Sequence, residues 1–166
     1  MKNFKTIVWI FVVFLIQTVI VAPIHIFGAC PSLVLSYIMC VMILENEFRR
    51  ATVISIVCAA MMGALGGRGF TVIVLFYVYS SIAVFSLRKK PLYAMDSIKA
   101  LIWTFIVSAL LEVVMYVIQN MTINMGMIIS TVLPTAVINT VMAGIMYPIL
   151  KKTLYQDDSK KKLLIT

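Results

Sequence analysis

Four stretches of this chain are apolar for long enough to decide its solvent. Residues 6–27, 70–87, 98–118 and 127–150 carry almost no charge. Each runs for about 18 residues or more, enough to cross ~30 Å of hydrocarbon. Two shorter apolar runs, 31–44 and 51–65, reach only ~21–23 Å at ~1.5 Å per residue and are read as spans lengthened by their flanks. Of the 166 residues, 63% are hydrophobic and only 12% charged. A water-soluble domain of this length has more surface than so few charges cover. The expected fold is therefore an all-α integral membrane protein, a six-transmembrane-helix bundle forming a single membrane domain over residues 1–166. Its helices are expected at about 6–27, 31–44, 51–65, 70–87, 98–118 and 127–150, with a cytoplasmic basic tail at 151–166.

The charge pattern supports the even number of helices. The net charge is +8, which by itself would admit a nucleic-acid partner. With the N-terminus inside, however, Lys2, Lys5, Arg49, Arg50, Arg88–Lys90, Lys99, Lys151, Lys152 and Lys160–Lys162 fall on one side, and only Arg68 falls on the other. This is the positive-inside pattern, and removing one helix would scatter the later clusters across both sides. The reading places both termini in the cytoplasm, offers a basic surface to anionic lipids, and assigns no role in binding nucleic acid. Lys2 and Lys5 before an apolar run resemble a secretory signal, and "FGAC" before Pro31 faintly resembles a lipoprotein cleavage site. The run is too long for either, so the first helix is expected to stay uncleaved. Cys30, Cys40 and Cys58 are odd in number and lack paired spacing, which points to small apolar fillers rather than a disulfide frame or metal site.

The polar and small residues inside the spans carry what remains. Lipid gives helices no hydrophobic reason to associate, so contact faces rely on small residues and hydrogen bonds. Ser55, Ala59, Gly63 and Gly67 recur at i+4 spacing on the third helix. In "PTAVINTVMAGIMYP" Asn139 lies about 12 residues, or ~18 Å, into the last helix and must point inward to a bonding partner. Gly144 is expected to face protein, Pro134 to give at most a mild kink, and Pro148 to sit at the helix exit. Glu112 is the only acid within a span; Arg68 in "GGRG" and His25 are its candidate partners. Gln17 and His25 are placed to look into the same cavity. A structural pair, a neutral or solvated acid, and a ligand contact all remain open for Glu112. No nucleophile–base set, HExxH, metal-ligating cluster or phosphate loop is present in the sequence, so no enzyme, no cofactor and no metal is expected.

The stretches "CPSLVLSYIMCVMI", "AAMMGALGGRGFTVIVLFYVYSSIAVFSLRKK" and "LPTAVINTVMAGIMYPILKK", taken together, resemble the rod-shape-determining membrane protein family MreD. "CPSLVLSYIMCVMI" is similar to that family's second helix, which opens on a proline. "AAMMGALGGRGFTVIVLFYVYSSIAVFSLRKK" is similar to its third and fourth helices, and "LPTAVINTVMAGIMYPILKK" to its last. Two acids found in the family, after the second-helix proline and before the glycine turn, are absent; Ser32 and Arg68 stand in those regions. The resemblance implies a non-enzymatic scaffold of the bacterial cell-elongation machinery in the cytoplasmic membrane. It implies an MreC-like single-span partner and, through it, influence on an MreB-like filament and on peptidoglycan synthases. Pro31, Gly63, Gly67, Pro134 and Asn139 carry over as packing or partner-contact positions. The architecture also resembles the substrate-binding membrane subunits of energy-coupling-factor vitamin transporters. That alternative would use Glu112, Arg68, Gln17 and His25 around an outward pocket, but the first helix lacks the alanine-rich docking strip typical of such subunits.

Overall fold

The computed structural model describes residues 2–23, 31–65, 70–88, 95–120 and 125–155. Among them the chain is all-helical, with six helices: α1 (Lys2–Ile16), α2 (Leu33–Leu44), α3 (Phe48–Leu65), α4 (Phe70–Leu87), α5 (Asp96–Asn120) and α6 (Met125–Leu150). Two π-helical turns extend α1 and α6, over Gln17–Val21 and Lys151–Tyr155 respectively. Four segments are long and apolar enough to cross a membrane: Asn3–Val21, Phe70–Leu87, Asp96–Ile118 and Ile129–Tyr155.

The shortest helix is the innermost. Leu33 through Ile43 are all buried, and α2 packs against α1, α3, α4, α5 and α6. Its sequence is apolar on every side, so no face of it prefers an outer position. At ~1.5 Å per residue it is ~18 Å long, well short of the ~30 Å of a bilayer core. Helix geometry begins at Leu33 rather than at residue 31, because Ser32 is extended and caps the helix, its Oγ accepting from Leu35 N at 3.2 Å. A short helix enclosed by longer ones has both ends inside protein, which sets the problem that the polar residues solve.

The small-residue strip of α3 faces α4. Ala59 and Ser55 are buried there, and the Ser55 and Ser81 hydroxyls lie 2.6 Å apart. A methyl group added at Gly63 would stand 2.7 Å from Phe70 Cδ2 and 2.8 Å from Val74 Cγ2, so glycine is what lets the two helices close. Gly67 lies outside the described residues. Gly63→Leu is expected to destabilise the bundle by about 1–3 kcal/mol through overpacking. Val74→Ala in the same chain should recover part of that loss, whereas purely additive costs in a double-mutant cycle of unfolding would show that the two sites do not touch.

On α6 the inward stripe is Thr135, Ala136, Asn139, Ala143, Met146, Tyr147 and Leu150, all buried. Gly144 is exposed, and the nearest atom to a methyl added there, Leu101 Cδ2, is at an ordinary 3.5 Å. Gly144 thus lies at the exposed edge of the α5 contact, and one residue, ~100° of helix, puts Ala143 in the buried place. Pro134 and Pro148 both lie inside α6. Pro148 does not mark the exit; the helix runs on to Leu150 and then widens into the π-helical turn. Proline removes one ladder hydrogen bond, but Leu150 and Leu154 are buried beyond it and hold the chain on course. The segment 151–155 is thus part of the bundle, and residues 156–166 lie outside the described residues.

Candidate functional site at the two ends of the buried helix

A helix start leaves its first N–H groups without partners. At the start of α2 those groups are met by side chains from distant parts of the chain. Gln17 is buried at the head of the first π-helical turn; its Oε1 accepts from Leu33 N at 2.6 Å and its Nε2 donates to Pro31 O at 3.2 Å. Asn139 is 1% exposed. Its Oδ1 accepts from Ser32 N at 2.7 Å, and its Nδ2 donates to Ser108 Oγ at 2.6 Å. Ser36 Oγ donates to the Asn139 carbonyl at 2.8 Å, and the Ser32 and Tyr77 hydroxyls lie 3.1 Å apart. One amide on α6 thus ties the approach to α2 to α5, with α1 and α4 completing the junction.

The other end of α2 leaves carbonyls without partners, and a single guanidinium gathers them. Arg88 Nη1 donates to Met42 O at 2.9 Å, to Ile43 O at 3.3 Å and to Glu45 O; its Nη2 reaches Asn46 O at 3.5 Å. The same guanidinium lies 3.9 Å above the Phe85 ring, which packs against Phe48 with centroids 5.2 Å apart. Burial lowers the Arg88 pKa from its ordinary value, and the Glu45 charge opposes that shift. Arginine fits here because its planar fork carries five donors and remains charged.

Beside this clamp the Glu45 side chain, 3% exposed, pairs with Arg50 Nε at 3.3 Å. Tyr155 OH donates to Glu45 Oε2 at 3.3 Å, Asn46 N donates to Oε1 at 3.1 Å, and Arg50 Nη2 donates to Thr6 Oγ1 at 2.9 Å. This group joins α1, the α2–α3 connection, α3 and the turn after α6. In the sequence Arg50 and Arg88 register as topology signals and Glu45 as a loop residue. The signal that pointed further was the polar tract "ENEFRR" placed directly after an apolar run.

Pro31 is buried, and its carbonyl is occupied by Gln17. Pro134 is partly buried. Glu112 is partly buried on α5, and among the described residues it has no hydrogen-bond or ion-pair partner. Arg68 and His25, its expected partners, lie outside the described residues. Gln17 is held at the α2 start by Leu33 N and Pro31 O. Among the described residues no three His, Cys, Asp or Glu side chains gather as a metal site would require.

Fold and site define an all-helical bundle assembled around a short enclosed helix that is clamped at both ends by side chains from its neighbours. No family model, curated protein or solved structure matches the chain.

Proposed function

We propose that this chain is a six-span protein of the bacterial cytoplasmic membrane, both termini inside, serving as a non-enzymatic scaffold of MreD type. In this reading it passes structural signals between membrane partners of the cell-elongation machinery and has no catalytic role. An MreC-like single-span protein is its direct partner, with an MreB-like filament and peptidoglycan synthases further along. One observation carries the reading. The stretches that bear the family resemblance, around Pro31 and around Asn139, meet at a single junction through the 2.7 Å bond from Ser32 N to Asn139 Oδ1. Lipid offers no alternative partner to an amide at that depth, so such a junction fixes one helix arrangement. A protein that works by presenting a fixed surface requires that.

One observation favours a second reading. Glu112 has no hydrogen-bond or ion-pair partner among the described residues, as a ligand-contacting acid of a vitamin-binding transporter subunit would.

Topology is tested by single cysteines in a chain lacking Cys30, Cys40 and Cys58. Asn46→Cys should be labelled only after the membrane is opened, and a cysteine at position 123 should be labelled from outside; the reverse pattern defeats the six-span reading. Function is tested by depletion in the native bacterium. Rods swelling to spheres support the scaffold, whereas rescue of growth by one supplemented vitamin selects the transporter subunit.

A further inference from the structure

A groove of about 800 Å³ runs between α1 and α3, and its lining is sorted by polarity. Ile7, Phe11, Val53 and Val57 form its exposed apolar walls. Glu47 and Arg49 stand exposed at its mouth, beside the first turn of α3. From Arg50 to Met61 the groove extends ~16 Å at ~1.5 Å per residue, close to half of the ~30 Å hydrocarbon core. A membrane-crossing helix would need a track along the full thickness. A molecule with a polar head and a tail one leaflet deep fits the length, and the volume is that of an ordinary ligand site.

The charges at the mouth define the head. Arg50, the neighbouring cation, is already committed to Glu45 and Thr6. Among the described residues the side chains of Glu47 and Arg49 have no partner. One free anion next to one free cation is complementary to a headgroup carrying both signs. Arg49, assisted by the positive end of the α3 dipole, suits a phosphate diester. Glu47 suits a primary ammonium, whose three N–H donors a carboxylate can accept. We infer that the α1–α3 groove is a binding site for one zwitterionic phospholipid of the phosphatidylethanolamine type, taken from the leaflet on the α3 N-terminal side. This inference rests on the membrane reading above.

The full chain, purified in detergent and stripped of lipid, is titrated with dioleoyl phosphatidylethanolamine, phosphatidylcholine or phosphatidylglycerol and read by native mass spectrometry. One phosphatidylethanolamine should be retained, favoured about fivefold over phosphatidylcholine, whose trimethylated ammonium cannot donate a hydrogen bond to Glu47. Glu47→Gln should erase that preference, and Arg49→Gln should weaken retention of all three lipids. Val53→Trp, or Val57→Trp as an independent variant, should fill the groove and abolish retention while helix content and unfolding stay as in the parent. Retention unchanged in both tryptophan variants overturns the site. So does phosphatidylglycerol held more tightly than phosphatidylethanolamine with no effect of Glu47→Gln. A photoreactive residue at position 57 that captures a protein helix in native membranes, in place of phospholipid, overturns it as well. Alkaline carbonate washing separates this inference from its premise: release of the chain into the supernatant defeats the membrane reading itself, whereas a chain that pellets yet holds no lipid defeats only the groove.

Discussion

Replacing Asn139 by leucine should destabilise the bundle by about 2–4 kcal/mol, even though the two side chains share the same heavy-atom count and branching. The substitution removes the acceptor for Ser32 N and the donor to Ser108 Oγ. Each buried polar group left unpaired costs about 1–3 kcal/mol. Interhelical hydrogen bonds in membranes average nearer ~0.6 kcal/mol because the unfolded state in lipid finds partners too, which holds the sum toward the lower part of that range. The Ser32 N–H has little such recourse, since it lies at a helix start enclosed by other helices. Ser108→Ala alone should cost about 1 kcal/mol. In the leucine background the same change should cost almost nothing, because its partner is already gone. Reversible unfolding in mixed detergent micelles reads both values. Full additivity of the two changes would mean that Asn139 and Ser108 do not share the bond assigned to them.

The second large effect is expected at the other end of α2. Arg88→Leu removes the donors to Met42, Ile43, Glu45 and Asn46 carbonyls and the contact over Phe85. Hydrogen bonds from a charged donor contribute about 1.5–3 kcal/mol where the alternative is an unpaired group, and adding the lost cation–π contact gives an expected cost of about 3 kcal/mol. Arg88→Lys should recover only part, since a single ammonium cannot fork across four carbonyls. Amide hydrogen exchange provides a readout specific to the mechanism. The last turn of α2 should lose protection in Arg88→Leu while α5 and α6 retain theirs. Uniform loss across all helices would instead make Arg88 a general contributor to stability with no particular tie to α2.

These two residues also show what the sequence could and could not convey. An amide 12 or so residues into an apolar run must be bonded wherever the run lies, because no apolar solvent will take it; that much follows from Asn139 alone. Its partner, Ser32, is 107 positions away, and no periodicity encodes which helices become neighbours. Arg88 closes an apolar run and so carries a topology signal. The same charge position is equally consistent with a lipid headgroup contact, and only the placement of α2 beside it turns it into a clamp. Gln17 presented the same ambiguity: an amide midway along the first run reads as facing a cavity, and the π-helical turn that begins there directs it to the start of α2. Gly144 shows the limit from the opposite side. Small residues on adjacent stripes of α6 look equivalent in sequence, and the packing on α2 and α5 selects Ala143 over its neighbour.

The sequence by itself determined that the chain forms six helices, because runs so apolar can satisfy their backbone groups only within themselves. It also determined that the small residues of α3 would meet another helix, since a smooth strip lets two backbones approach closely. Only the tertiary structure decided that the shortest helix is the central one. A helix apolar on all sides is equally content against acyl chains or against protein. The choice is made at its ends, where the N–H and C=O groups at and beside the α2 termini find Gln17, Asn139 and Arg88, and an apolar surrounding has no donor or acceptor to match them.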